Sequence, residues 1–323
     1  MRRIILALLA TVALPGLAGS AMAQVYPSRP ITMIVPYSAG GPTDTIARIV
    51  GERMARSLGQ PVIVEDLPGA AGTIAAARVA RADPDGYTIS VATWSSYVVS
   101  PVVYQLQYDV LRDFAPVALL TKTPLLIVAK KAMPANDLQG MVAWLKANPD
   151  AAFQGIAGAT DQVVGFLLQQ QTGAKFQEVP YRGLASAMQD LLAGRIDFLF
   201  DQPSDALPQI RSGAIKVFAV TANSRLAVAP DIPTVDEAGL PGLYITPWHS
   251  LWVPKDTPRD VITKLSAAAM DALADPAVRQ HLAGVGQQVV PPEQQSPQAL
   301  AVYYKAEIDK WWPIIKAARI KAE

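Results

Sequence analysis

Hydrophobic positions change period repeatedly along this chain, and the first change is the most informative. Ile31, Met33, Ile34 and Val35 form an apolar run of strand length, closed by Pro36, which has no N–H to give a ladder. The stretch Tyr37-Ser38-Ala39-Gly40-Gly41-Pro42-Thr43-Asp44 follows, and Ile46, Ile49, Val50 and Met54 then recur at helical spacing. The predicted unit is strand, glycine turn, helix. Gly40 and Gly41 let the backbone take positive φ and approach a guest closely, and Thr43 or Asp44 can cap the helix. Unpaired N–H groups at such a helix start, helped by the macrodipole, suit a carboxylate or phosphate without any lysine. A plain tight turn would use the same residues.

The pattern then repeats. Residues 60–66 form a second strand, a turn through Gly69 and Gly72 leads into an alanine-rich helix over 74–82, and Asp83-Pro84-Asp85-Gly86-Tyr87 is turn chemistry before a third strand over 88–92. Strands alternating with helices predict a mostly parallel, doubly wound α/β sheet, whose ligands sit beyond the carboxyl ends of the strands. Two apolar runs, 117–120 and 125–129, flank Lys122-Thr123-Pro124 and read as a first crossing into a second lobe. That lobe carries a helix over 138–147, a strand over 153–156, the turn Gly158-Ala159-Thr160-Asp161-Gln162, a helix over 163–171, a helix over 185–192 and a strand over 196–200. Residues 215–220 make the returning strand; 244–253 and helices over 261–273 and 300–312, the last stopped or kinked by Pro313, complete the first lobe.

The N-terminus predicts the compartment. Arg2-Arg3, an apolar segment over 4–14 too short to span a bilayer, and Ala21-Met22-Ala23 have the order of a secretory leader, so residues 1–23 are expected to be removed. No cysteine follows, which excludes lipid anchoring at a lipobox, disulfides, thiolate metal sites and a cysteine nucleophile. Without Arg2 and Arg3, the 28 basic residues fall to 26 against 27 acidic ones, and a near-neutral chain argues against nucleic acid or an anionic membrane as partner. The remaining length exceeds what one core usually serves, which makes two lobes the expectation.

Seven stretches, in order, carry a family resemblance: Tyr26-Pro27-Ser28-Arg29-Pro30-Ile31, Pro36-Tyr37-Ser38-Ala39-Gly40-Gly41-Pro42-Thr43-Asp44, Pro84-Asp85-Gly86-Tyr87-Thr88, Tyr108-Asp109-Val110-Leu111-Arg112-Asp113-Phe114-Ala115-Pro116-Val117, Val179-Pro180-Tyr181-Arg182-Gly183, Ala219-Val220-Thr221 and Ile232-Pro233-Thr234-Val235-Asp236-Glu237-Ala238-Gly239. The chain resembles the tripartite tricarboxylate transporter substrate-binding receptors, the Bug or TctC family of periplasmic solute-binding proteins. The resemblance implies a type II-like two-lobed α/β fold, two doubly wound sheets joined by two crossing strands, with lobe 1 over 24–124 and 222–323 and lobe 2 over 125–221. It further implies a periplasmic, non-enzymatic receptor; no cofactor and no metal are expected, and monomer is the default state. Such a receptor closes on a small carboxylate and hands it to one large and one small integral membrane subunit.

In that family the loops resembling Tyr37 to Asp44 and Gly155 to Gln162 clasp a carboxylate. The site residues implied here are Tyr37, Ser38, Ala39, Gly40, Gly41, Thr43 and Asp44 with Trp94, Ser95 and Ser96 from the first lobe, and Gly158, Ala159, Thr160, Asp161, Arg182 and Asp201 from the second. Each has a second reading. Asp161, awkward beside an anion, either caps the next helix or binds a ligand amine or hydroxyl. Trp94 either stacks on a flat ligand or sits in the core. Arg182 meets a second ligand carboxylate or lies on an exposed loop. Asp201, followed by Gln202, binds ligand or caps a helix. Trp94 and Arg182 together favour a dicarboxylate or an aromatic carboxylate. Two alternatives remain open: a receptor that signals to a membrane sensor kinase, and an exported hydrolase using Ser95 or Ser96. The hydrolase lacks a G-x-S-x-G elbow and has only His249 and His281 to draw on, His281 being expected at the surface.

Overall fold

A computed structural model describes residues 26–149, 151–181 and 183–320. The expected leader and Arg182 lie outside the described residues. The chain opens with β1 (Ile31–Val35), α1 (Pro42–Leu58), β2 (Val62–Asp66), α2 (Thr73–Ala80), β3 (Thr88–Thr93), the short α3 (Ser100–Val103) and β4 (Phe114–Lys122). It continues through β5 (Leu126–Lys130), α4 (Leu138–Ala147), β6 (Phe153–Ile156), α5 (Ala159–Thr172), β7 (Gln177–Pro180), α6 (Leu184–Leu192), β8 (Phe198–Asp201), α7 (Pro203–Arg211) and β9 (Ile215–Val220). It ends with β10 (Trp248–Pro254), α8 (Arg259–Ala274), α9 (Pro276–Gly284), β11 (Gln288–Val289) and α10 (Pro297–Ala318).

Two sheets result. One has the order β11-β4-β10-β3-β1-β2, the other β7-β6-β8-β5-β9. The expected parallel pairing holds for β1 with β2 and β3, and for β6 with β7 and β8. It fails where the chain changes sheets: β10 runs antiparallel to β3 and β4, and β5 antiparallel to β8 and β9. The sheets are therefore mixed. The physical reason is direction of entry: β1, β3 and β4 run towards the edge where the sheets meet, while β5 and β10 begin at that edge and must run away from it.

Both sheets bury apolar faces. Ile31, Met33 and Val35 pack with Ile46, Val50 and Met54 of α1 and with Leu265 and Ala269 of α8, all within one buried cluster. Leu126 and Val128 pack with Leu191 of α6, Val220 of β9 and, beyond it, Leu226 and Ile232. Every one of those residues except Ile232 is at most 1% exposed, which is the apolar burial that drives each layer together. Residues 177–180 were not expected as a strand; they form the edge strand β7, a position where Pro180 is tolerated because no further ladder needs its N–H. The last helix also differs from expectation, running through Pro313 to Ala318.

Candidate functional site

The two strand-turn-helix units face one cavity of about 520 Å³. Tyr37, Ser38, Gly41 and Thr43 line one side of it and Gly158, Ala159, Thr160 and Asp161 the other, with Trp94 and Ser95 contributed by the turn after β3. The helix starts are built alike. Gly41 is the N-cap residue of α1 and Gly158 that of α5, and neither helix has a side-chain cap. The expectation that Thr43 or Asp44 caps α1, and the reading of Asp161 as a cap of α5, both give way to a different device. From the first turn Asp44 Oδ2 accepts the Gly40 N–H at 2.7 Å, and Asp161 Oδ2 accepts the Ala157 N–H at 2.8 Å. Each aspartate thus braces its own loop, in the manner of a capping box shifted by one residue.

Electrostatics follow from this bracing. Burial raises the Asp44 carboxyl, but the Gly40 N–H and the Arg48 guanidinium, 2.7 Å away, outweigh it and hold the group below its ordinary value. Among the described residues no lysine or arginine lines the cavity. Asp161 and Asp205 line it too, so the groups there suited to an anion are the helix starts, where backbone N–H groups and the macrodipole favour negative charge.

Not every expected residue reaches the cavity. Ala39, Gly40 and Asp44 lie outside its lining, Asp44 being turned back onto the Gly40 N–H. Ser96 is 1% exposed and turned into the end of β3, accepting the Thr93 N–H at 3.0 Å. Trp94 borders the cavity but is 1% exposed, its ring edge-on to Trp311 with centroids 5.2 Å apart, the placement of a core tryptophan. Asp201 is fully buried at the end of β8, off the lining, where Oδ1 accepts the Gln202 N–H at 2.7 Å. Burial, reinforced by Asp205 and Asp161, pushes its carboxyl up to about 8. It does not cap α7, whose N-cap residue is Gln202. Gln202 itself lines the cavity. His281 is exposed, as expected.

The structure adds residues that local pattern does not reveal. Gly183, Leu184 and Ala185 bring the start of α6 to the cavity, Asp205 comes from the first turn of α7, and Leu125, Pro247 and Trp248 come from the segments that pass between the sheets. The turn before α6 repeats the glycine-then-helix pattern and was findable on that basis. The crossing residues carry no local signal, because their position depends on where two distant strands enter. His249, the first-lobe neighbour of Thr43, is buried, and burial pushes its imidazole down to about 4, so the ring is neutral. Its Nε2 lies 3.2 Å from Thr43 Oγ1.

Two helix starts, one from each strand-turn-helix series, opening on one cavity between two mixed sheets is the geometry of a solute receptor. A family model described as the tripartite tricarboxylate transporter family receptor matches residues 46–320. The chain belongs to that family. These receptors are periplasmic binding proteins and not enzymes. A UPF0065 protein from the TAR-I ttuE-ttuC' intergenic region of Agrobacterium vitis is 40% identical over 318 residues, covering 98% of this chain and 91% of its own. The receptor fold is likewise similar to MatC of Rhodopseudomonas palustris with bound malate, with 38% identity and a TM-score of 0.80 over 90% of this chain and 100% of that one. It is similar to the periplasmic binding protein BugD at 36% identity and a TM-score of 0.80, over 92% and 100% of the two chains.

Proposed function

We propose that this receptor is exported to the periplasm with loss of residues 1–23, closes its two lobes on a small dicarboxylate, and delivers it to a membrane transporter of one large and one small subunit. One observation carries the reading: α1 and α5 start on opposite sides of the same cavity, and their first-turn aspartates are folded back onto their own loops. With Asp44 and Asp161 so engaged, the open ends of both helices are left to compensate an anion, and closure brings them together on it. A cavity of about 520 Å³ suits a small metabolite. The malate bound by MatC supports the dicarboxylate class. The burial of Trp94 removes the argument for an aromatic ligand, since an indole packed edge-on against Trp311 offers no face for stacking.

The lobes divide, on this proposal, at 124/125, where only Thr123, Pro124 and Leu125 separate β4 from β5. For the second division we propose a point later than the 221/222 expected from the sequence, a reading supported by the packing of Leu226 and Ile232 with Leu126 and Val128. The test is calorimetric titration of ligand-stripped protein with malate, longer aliphatic dicarboxylates, citrate, benzoate and neutral amides. One-to-one binding of a dicarboxylate alone supports the reading; binding of a neutral amide with silence across all the acids refutes it.

A further inference from the structure

Where the elements built on the second sheet meet those built on the first, one contact leaves no room for a side chain. Gly286 stands between α9 and β11, the strand that pairs with β4 of the first sheet, while α7 carries the chain from β8 to β9 of the second. A Cβ at Gly286 would lie 2.9 Å from Cβ of Pro203 and 3.1 Å from the Ser204 nitrogen, at the start of α7. Carbon atoms pack at about 3.5–4.0 Å, so the two elements could not keep this spacing around a side chain.

Both sides of the contact are held firmly. The Gly286 N–H donates to the Ala283 carbonyl and the Gln287 N–H to the Leu282 carbonyl, each at 2.9 Å, the paired bonds of a Schellman turn closing α9. Gln287 is 2% exposed and accepts hydrogen bonds from the Thr121 and Thr123 hydroxyls, which tie the turn to the end of β4. Opposite it, the Pro203 ring is rigid and the Ser204 nitrogen belongs to the helix backbone. The helix end by itself would accept Asn, which adopts the φ of +73° found here; the contact would not.

This contact backs the cavity. At about 100° per residue, Gln202 and Asp205 share one side of the α7 start, and Pro203 and Ser204 the other. Gln202 and Asp205 line the cavity, so the first turn of α7 stands between the cavity and Gly286. We infer that Gly286 is a specificity-determining position: having no side chain, it lets the start of α7 sit back from the cavity and so sets the length of dicarboxylate that the cavity takes. A Cβ there pushes Gln202 and Asp205 inward by about 0.5–1 Å, the separation needed to restore ordinary contact. The inference rests on the dicarboxylate reading above.

Gly286→Asn keeps the backbone conformation and adds the side chain. Its control is Gly59→Asn, at the end of α1, where φ is +71° and a Cβ would meet nothing within 4 Å. Calorimetric titration with succinate, glutarate and adipate, which differ only in methylenes, reads the effect. In Gly286→Asn adipate is expected to lose about tenfold more affinity than succinate, the cost of a methylene that no longer fits, whereas Gly59→Asn keeps the ratio of the unaltered protein. Gly286→Ala, which adds the Cβ alone, repeats the test with less bulk and should shift the ratio the same way. An unchanged ratio at position 286, a shift favouring adipate, or an equal shift in Gly59→Asn overturns the inference. Crystal structures of ligand-free Gly286→Asn and unaltered protein in one crystal form, superposed on the first sheet, give a readout without ligand. Gln202 and Asp205 are expected to be displaced towards the cavity; an unmoved α7 start overturns the inference. Should fewer than two of the acids bind the unaltered protein, that displacement alone decides; should none bind, the dicarboxylate reading itself falls.

Discussion

Replacing Asp201 by Asn should change how stability depends on pH. The carboxyl is fully buried and raised to about 8 by burial and by the neighbouring Asp205 and Asp161, whereas in the unfolded chain it titrates near 4. Between those values the folded state holds a proton that the unfolded state has released. Stability therefore falls as pH rises through the window, by about 1.4 kcal/mol per pH unit for this group. From pH 4 to pH 7 the Asp201 contribution amounts to about 4 kcal/mol of lost stability, with the loss complete once the pH passes about 8. Asn has the same shape, keeps the Oδ1 that accepts the Gln202 N–H, and has no proton to lose. The difference in unfolding free energy between Asp201→Asn and the unaltered protein should thus grow in favour of the variant by about 4 kcal/mol between pH 4 and pH 7. Urea unfolding of ligand-free protein, followed by tryptophan fluorescence from pH 4 to 9, measures it. Other titrating groups act on both proteins and cancel in the difference. Free-energy curves that run parallel across the window would refute the reasoning.

Gly40→Val should lower both stability and malate affinity. Its φ of +82° costs a branched residue about 1–3 kcal/mol and strains the turn whose N–H meets Asp44, so unchanged affinity in calorimetry would remove the loop from recognition. Trp94→Ala should cost about 3–5 kcal/mol in urea unfolding, as a buried indole lost from contact with Trp311 leaves a large cavity; a loss below about 1 kcal/mol would show that the ring is not part of the core. Ser95→Ala should weaken malate binding by less than about tenfold, because the hydroxyl borders the cavity and also bonds the Tyr37 side chain; loss of a hydrolytic turnover in the same variant would contradict membership of a receptor family.

Local chemistry was sufficient for much of the fold. The runs 153–156 and 215–220 and the helix over 138–147 appear in the structure with those boundaries, because apolar spacing and turn residues act over a few positions. The glycine turns were legible in part for the same reason: Gly40 has the positive φ expected of it, as do Gly72 and Gly158, whereas Gly41, expected to share it, is extended at φ −78°; at Gly72 a Cβ would come within 2.9 Å of both Pro36 and Ser96. The ordered motifs were enough to identify the family, which the match over 46–320 shows.

What the sequence could not determine was direction and depth. Strand polarity in β5 and β10 depends on which edge the chain enters from, and no run of side chains encodes that. Whether Trp94, Ser96 and Asp201 face a cavity or a core depends on what α10, β3 and the second sheet place beside them. The same holds for the site itself. The residue types at Gly41-Pro42-Thr43-Asp44 and Gly158-Ala159-Thr160-Asp161 were visible from the start, but only the meeting of two sheets sets the two helix starts on one cavity and puts His249, 206 positions after Thr43, against its hydroxyl. Hydrogen bonding and burial act through space, and the chain's local pattern records only what acts along it.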